Sequence, residues 1–238
     1  MSGVWLILPT YNEAENIEAI VAAALPRLAA TGLEHRILVV DDDSPDGTGR
    51  IADRLAAGDQ TVEVLHRSTK EGIGPAYLAG FARALAGGAD LVMEMDSDFS
   101  HDPADIPRLV AAAERADLVL GSRYVPGGGV TDWGLLRRLI SRGGSLYAKL
   151  ILGMPVDDFT GGFKCFRRGV LERLDLSSVD ADGYGFQIEM TYRAIKAGFE
   201  VEEVPILFRD RRVGSSKMSA RIAIEAFWKV PLLRWRSR

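Results

Sequence analysis

The first half of the chain alternates apolar, strand-like runs with stretches of helical period, and few folds accept that pattern. Val4–Leu8 precedes a helix predicted from about Glu13 to Ala30, and Arg36–Asp41 precedes one from about Gly47 to Ala57. Val62–His66, Leu91–Met95 and Asp117–Gly121 continue the strands, with helices near Ile73–Ala86 and Pro103–Arg115 between them. Continuous apolar strands are buried on both faces, which requires a mostly parallel sheet covered by helices on either side. The expected class is therefore α/β, and ligands of such sheets bind beyond the carboxyl ends of the strands.

Three polar clusters fall at those ends: Pro9-Thr10-Tyr11-Asn12-Glu13, Asp41-Asp42-Asp43 and Asp96-Ser97-Asp98. Residues i and i+2 of an extended chain share a face, so the carboxylates of Asp96 and Asp98 can converge on one ion. An isolated Asp-x-Asp also recurs by chance at polar strand ends. With a diphosphate and water, two aspartates complete the octahedron that Mg²⁺ or Mn²⁺ accepts. No G-x-G-x-x-G follows the first strand and no G-x-x-x-x-G-K-[ST] occurs, so the ordinary dinucleotide-binding and P-loop readings have no motif support.

The 238 residues, 47% hydrophobic and 26% charged, suffice for one large domain or two closely packed halves. The single cysteine, Cys165, excludes an intramolecular disulfide, and no Cys/His cluster has zinc-ligand spacing, so a reducing compartment is expected. The N-terminus lacks the basic segment and apolar core of a signal peptide, and no uncharged apolar run reaches the length of a membrane span. A cytoplasmic protein without a transmembrane helix is expected, peripherally associated with a membrane. The net charge of −4 is uneven: from Val204 onward there are nine Lys/Arg against two Asp/Glu, which leaves the preceding residues at −11. A basic tail meets something anionic, whether a phosphate-bearing substrate, a membrane surface or nucleic acid. Nucleic acid is set aside, because the tail's aromatics form no RNA-binding motif and the body is acidic. Past Tyr124, Pro126-Gly127-Gly128-Gly129 reads as a lid or a connector, and a basic helix is predicted over Leu135–Leu152.

The runs Pro9-Thr10-Tyr11-Asn12-Glu13, Val39-Val40-Asp41-Asp42-Asp43-Ser44-Pro45-Asp46-Gly47-Thr48, Met95-Asp96-Ser97-Asp98, Gly121-Ser122-Arg123-Tyr124 and Gly214-Ser215-Ser216-Lys217 resemble the dolichol- and polyprenol-phosphate mannose synthases, inverting enzymes of glycosyltransferase family 2. The similarity runs through essentially the whole chain in order. It implies a GT-A fold and transfer of mannose from GDP-mannose to a polyprenyl (dolichyl) monophosphate, with Mg²⁺ or Mn²⁺ as cofactor. It places the nucleoside on Pro9, Tyr11, Glu13, Val40 and Asp42, and the sugar diphosphate and metal on Asp96, Ser97 and Asp98 with Arg211 and Lys217. Asp96, Asp98, Arg123 and Arg211 form the implied catalytic set, and Arg123, Arg137 and Ser141 the implied acceptor-phosphate site. Relatives often carry Gln where this chain has Ser100, so a third protein ligand is missing from the pattern, and His101 beside it reads as a surface-loop histidine.

These assignments make chemical sense. Acceptor-only carboxylates suit guanine N–H groups or ribose hydroxyls, and a divalent cation neutralises a departing nucleoside diphosphate. Arg137 and Ser141 stand at i and i+4, so their tips can address one object. Arginine forks match phosphate, whereas Arg138 and Arg142 read as a solvated face. A lipid monophosphate is already an oxyanion, so positioning and electrostatics can suffice without an obligatory base. Asp157, Asp158 and Glu189 are nevertheless available, Asp158 more as an orienter of the sugar or of a neighbouring cation.

The expected organisation is a catalytic domain over residues 1–218 and a basic amphipathic tail over residues 219–238. The tail suits an interfacial helix on anionic lipid or a capping helix on the sheet, with Pro231 interrupting either, and a membrane-anchored partner subunit is a third way to reach the lipid. The alternatives to the mannosyltransferase are a polyprenyl-phosphate glucosyltransferase using UDP-glucose and a non-catalytic nucleotide-sugar or phospholipid-binding module.

Overall fold

The computed structural model describes residues 3–131, 133–179, 183–210 and 230–235. The chain runs β1 (Gly3–Thr10), α1 (Ile17–Ala29), β2 (Glu34–Asp41), α2 (Thr48–Gly58), β3 (Val62–His66), α3 (Ile73–Ala86), β4 (Leu91–Glu94), α4 (Ile106–Ala112) and β5 (Leu118–Ser122). It continues with β6 (Gly129–Val130), α5 (Leu135–Leu152), β7 (Lys164–Arg167), α6 (Arg168–Arg173), α7 (Tyr184–Lys196), β8 (Val201–Pro205) and β9 (Leu207–Phe208). The main sheet has the order β3-β2-β1-β4-β7-β5-β8. All neighbours are parallel except β7, which is antiparallel to both β4 and β5.

Each strand's two side-chain rows feed two cores. Val4, Leu6 and Leu8 of β1 pack with Ile17, Ile20 and Val21 of α1 and Leu109 of α4. Trp5 and Ile7 face the other way, toward Tyr77 and Phe81 of α3 and Phe186 of α7. Such double burial demands strands without polar alternation, as the sequence has them. Helix α3 lies close to the sheet because Gly80 carries no side chain; a Cβ there would stand 2.7 Å from Ile7.

Boundaries shift where side chains compete with the helix. The first helix begins at Ile17 rather than Glu13, because residues 13–16 form a turn whose leading amides are taken by side chains of the next loop, Glu13 N–H by the Thr48 hydroxyl at 2.9 Å and Ala14 N–H by the Asp46 carboxylate at 3.0 Å. The helix expected from Pro103 opens as a short 3-10 turn, with the Asp102 carboxylate accepting from the Ala104 amide at 2.9 Å. The glycine-rich segment after Tyr124 is tied down as a connector: β6 pairs with β9, and a Cβ on Gly128 would come within 2.6 Å of the Ser122 carbonyl. Residues 230–235 are helical, with Val230 in the core. The remainder of the predicted tail lies outside the described residues.

Candidate active site at the switch point

The strand order reverses at β1, whose chain-order neighbour β2 lies on one side and β4 on the other. A crevice opens at such a reversal beyond the carboxyl ends. Here it is bridged by the Ser97 hydroxyl, which donates to the Pro9 carbonyl at 3.0 Å. Among the described residues, three non-glycines adopt positive φ, Asn12 at 56°, Asp43 at 55° and Phe99 at 62°, one in each loop leaving β1, β2 and β4. Backbone held this way is over-determined by its surroundings. Asp41 supplies much of that restraint, accepting from the Thr10 hydroxyl at 3.1 Å, the Ser44 hydroxyl at 2.6 Å and the Ser44 amide at 3.2 Å. Ser44 in turn accepts from the Asn12 amide at 3.1 Å. Asp46 fastens the neighbouring turn. Partial burial raises its carboxyl, but the Thr48 hydroxyl and amide and the Ala14 amide outweigh that and hold it below the ordinary carboxylate range.

Asp96 and Asp98 follow β4 into the crevice. Asp96 is partly exposed, and Asp98 is buried with one oxygen accepting the Ser100 amide at 3.0 Å. His101 is also buried, with 1% of its surface exposed, contrary to a surface-loop histidine. Its ring lies against Phe163 and Phe208, and its Nδ1 accepts the Asp96 amide at 3.2 Å. Burial lowers its pKa to about 4, so the ring is neutral and serves as an acceptor that fixes the Asp96 backbone. Among the described residues no group of three His, Cys, Asp or Glu side chains forms a complete metal site. Two hard carboxylates at an open crevice nonetheless fit Mg²⁺ or Mn²⁺, since such ions draw most of their shell from water and substrate phosphates.

On the β1–β2 side, Pro9 pairs with Val40 in the parallel register, and the Asp42 amide donates to the Thr10 carbonyl at 3.1 Å. Tyr11 lies beneath the Lys70 ammonium, 3.9 Å from the ring centre. Asp42 accepts Arg67 Nη1 at 2.7 Å, while Arg67 Nη2 bonds Glu71. Burial raises the Asp42 carboxyl despite the Arg67 charge. Glu13 is held by the Asn16 carboxamide at 2.8 Å. Arg67 and Lys70 escaped sequence reasoning. Their position in the loop just past β3, at the same sheet edge, was the signal that could have found them.

On the other side stand Arg123, Arg137 and Ser141. Arg123 is buried and clamps Asp158, with Nε and Nη2 each 2.7 Å from a carboxylate oxygen and Nη2 also 2.6 Å from Thr160 Oγ1. Burial raises the Asp158 carboxyl, but the Arg123 charge and hydrogen bonds prevail and hold it below the ordinary range. Arg137 stacks on Trp133, 4.2 Å from the ring centre, and donates to Asp210 at 2.8 Å. Ser141 accepts the Tyr124 hydroxyl at 2.7 Å, an assignment in which either oxygen can serve as donor. The two sides are joined by aromatic contacts: His101 meets Phe208 at 5.2 Å between centroids, and Phe208 meets Trp133 at 5.3 Å. The Asp96 backbone and the Arg137 guanidinium are thus tied through three rings. Asp157 pairs with Lys149, and Glu189 with Arg193. The backbone reaches Asp210 beside this cluster, with the Arg209 amide donating to the Ser100 carbonyl at 3.1 Å. Arg211 and Lys217 lie outside the described residues.

Comparison with known proteins agrees with this geometry. The profile of Glycosyl transferase family 2 matches residues 5–175. The undecaprenyl-phosphate mannosyltransferase of Micrococcus luteus is 47% identical over 232 residues, covering 98% of this chain and 93% of that protein. The polyprenol monophosphomannose synthase of Mycolicibacterium smegmatis is 49% identical over 227 residues, covering 94% and 84%. Among solved structures, glucosyl-3-phosphoglycerate synthase from Mycobacterium tuberculosis superposes with a TM-score of 0.73 at 22% identity, over 98% of this chain and 80% of that one. A crystal of that enzyme with Mn²⁺, UDP-glucose and phosphoglyceric acid superposes at 0.71 and 21% identity, over 98% and 79%. The mostly parallel sheet, flanking helices and switch-point crevice define a glycosyltransferase of the GT-A fold. The chain belongs to glycosyltransferase family 2, among its polyprenol-phosphate mannose synthases.

Proposed function

We propose that the chain transfers mannose from GDP-mannose to a polyprenyl monophosphate, with inversion at the anomeric carbon, while peripherally bound to a membrane. The observation that carries this reading is the aromatic bridge that sets the Asp96/Asp98 loop beside the Arg137 and Ser141 face of α5. A donor diphosphate on one side and an acceptor phosphate on the other would then meet across it. The two relatives nearly half identical to the chain, named for mannosyl transfer to polyprenyl phosphate, support the sugar and the acceptor.

In this reading Asp96 and Asp98 hold Mg²⁺ or Mn²⁺, which when bound supplies positive charge against the leaving nucleoside diphosphate. Pro9, Tyr11, Glu13, Val40 and Asp42 seat the nucleoside, with Arg67 and Lys70 giving Asp42 and Tyr11 fixed positions. Ser97 joins the donor side at the crevice, and Arg211 and Lys217 belong to the proposed diphosphate contacts. Arg137 and Ser141 orient the acceptor phosphate. Arg123 acts first as a positioning residue, since two of its nitrogens hold Asp158 and Thr160, and its place beside Tyr124 and Trp133 lets it shape the phosphate site. The acceptor oxyanion needs no proton removed, so the chain's contribution is alignment and electrostatic pre-organisation.

The test is an assay of the purified protein with a short, water-soluble prenyl phosphate and labelled GDP-mannose or UDP-glucose, with Mg²⁺, Mn²⁺ or chelator. Mannosyl lipid is expected from GDP-mannose and only with metal. Faster transfer from UDP-glucose would overturn the donor, and no glycosylated lipid from either would overturn the function.

A further inference from the structure

The layer of core next to Asp96 is polar, although it lies in the space shared by the sheet, α3 and α7. Glu94 of β4 stands opposite Lys164 of β7 in the antiparallel register, and neither exposes any surface. Lys164 Nζ donates to the Gln187 carbonyl at 2.7 Å and the Thr191 hydroxyl at 3.0 Å, which fastens α7 to the sheet. Burial raises the Glu94 carboxyl, and the Lys164 charge and then the Gln187 carboxamide oppose it. Tyr77 of α3 joins the same layer: burial raises its hydroxyl, and the charges of Asp96, Glu94 and Asp98 add to the shift. Met93 and Met95 pack in the other core, so Glu94 and Asp96 follow one another on the side of α3 and α7. Two residues before Lys164, Gly162 marks where the layer meets the crevice. A Cβ there would stand 3.5 Å from Gln187 Nε2, 3.7 Å from His101 Cε1 and 3.9 Å from Asp96 Oδ1, so these three groups ring one point.

We infer that Glu94, Lys164 and Gln187 form a buried positioning unit that sets the Asp96 carboxylate for its divalent cation. The inference rests on the metal role given to Asp96 above, and goes beyond it by naming what aims the ligand. Packing does not call for such a cluster, because a buried ion pair is often no more stabilising than apolar side chains of the same volume. This one is also incompletely bonded. Both Glu94 carboxylate oxygens, the Gln187 carboxamide oxygen and the Tyr77 hydroxyl meet no partner in hydrogen-bonding geometry among the described residues. Buried polar atoms in that state cost stability, and departures of this kind gather at functional sites. The connections lead one way. Lys164 sets the place of α7 on the sheet, and α7 carries the Gln187 carboxamide to the point by Gly162 that it shares with His101 and the Asp96 carboxylate. His101 already holds the Asp96 amide, so the carboxamide restrains the side chain of a residue whose backbone is fixed. Groups behind a metal ligand that fix its orientation are worth about 10–100-fold in metal affinity or activity.

The experiment titrates the protein with Mn²⁺, alone and with GDP or UDP, and follows the free ion by electron paramagnetic resonance. Wild type is compared with Glu94→Leu/Lys164→Met and with Gln187→Met, and urea unfolding is measured on all three. The double variant replaces the pair by apolar side chains of similar volume, so its urea midpoint is expected to equal or exceed that of wild type. Its Mn²⁺ affinity in the presence of nucleotide is expected to fall about tenfold or more. A cluster that serves only the fold would move the midpoint and leave the affinity alone. Gln187→Met keeps the side chain's length and removes the carboxamide, and is expected to weaken Mn²⁺ in the same direction; it decides the matter by itself should the double variant not fold. Wild-type Mn²⁺ affinity in Gln187→Met, or in a folded double variant, overturns the positioning unit while the metal role of Asp96 stands. Wild type that binds no Mn²⁺ with either nucleotide overturns that metal role, and the positioning unit with it.

Discussion

Asp98 is the side chain whose charge, rather than whose presence, separates chemistry from folding. It is buried and holds the Ser100 amide, so truncation to alanine would disturb the loop as well as remove a charge. Asp98→Asn keeps the shape and an acceptor oxygen but removes the charge that a cation requires. Transfer is expected to fall by about 10²-fold or more with an unchanged melting curve; near wild-type turnover at saturating Mg²⁺ or Mn²⁺ would refute a metal role. Arg123 behaves differently. Its side chain is 3% exposed and that of its partner Asp158 is 0% exposed, so Arg123→Ala leaves a buried carboxylate uncompensated. Stability should drop by about 3–5 kcal/mol, read from urea unfolding. A loss below ~1 kcal/mol would mean that water enters and the pair contributes little. The sequence presented Arg123 at a strand end among candidate phosphate ligands, but Asp158 is 35 residues away. Residue type is legible locally; which charge a guanidinium meets is decided by the fold. His101 shows the same limit, for its neighbours Phe163 and Phe208 come from distant segments and turn an apparent loop residue into a buried acceptor.

The elements that were legible are those whose period is unbroken: β1 to β5 and the helices between them were placed to within a few residues. β7, β8 and β9 were not, because Lys164-Cys165-Phe166-Arg167 and Val201-Glu202-Glu203-Val204-Pro205 mix polarity over four or five residues. The polar members are used inside. Lys164 is fully buried, donating to the Gln187 carbonyl at 2.7 Å and the Thr191 hydroxyl at 3.0 Å, and Glu203 takes the amides of Asp157 and Asp158. Helix α5 was predicted at its observed bounds, yet it contains Gly143-Gly144 in its middle, where each glycine costs about 0.8–1 kcal/mol relative to alanine. Packing within the chain does not require them: a Cβ at either position would meet no atom within 4 Å. Gly143→Ala and Gly144→Ala should therefore each raise stability by about 0.5–1 kcal/mol in urea unfolding. A decrease would reveal a close contact on that face within the free protein.

At the scale of the whole molecule, the centre of the sheet is closed late in the sequence, by an antiparallel strand slotted between β4 and β5. Cys165 of β7 lies opposite Met93 on one side and Val119 on the other, and none of its surface is exposed. Its thiol is a reporter of global opening, because reagent reaches it only when the sheet comes apart. Burial pushes its pKa from the ordinary 9.0 up to about 12. For a group whose folded value is raised, the stabilising contribution is complete below the unfolded value and is lost as pH climbs toward the folded one. The thiol's share is thus intact at neutral pH and erodes between about 9 and about 12, by on the order of 1 kcal/mol at pH 10. Burial shifts Tyr77 in the same direction, so the comparison must isolate the thiol. Urea midpoints of wild type and Cys165→Ala, each measured at pH 8 and pH 10, do this, because the cavity left by alanine is common to both pH values and cancels. Wild type should lose on the order of 1 kcal/mol more than the variant over that interval. In native buffer at pH 8, iodoacetamide should modify Cys165 orders of magnitude more slowly than in urea. Equal alkylation rates in the two solvents, or a native thiolate absorbance that titrates near 9, would show that β7 opens locally and that the sheet is not a single cooperative unit.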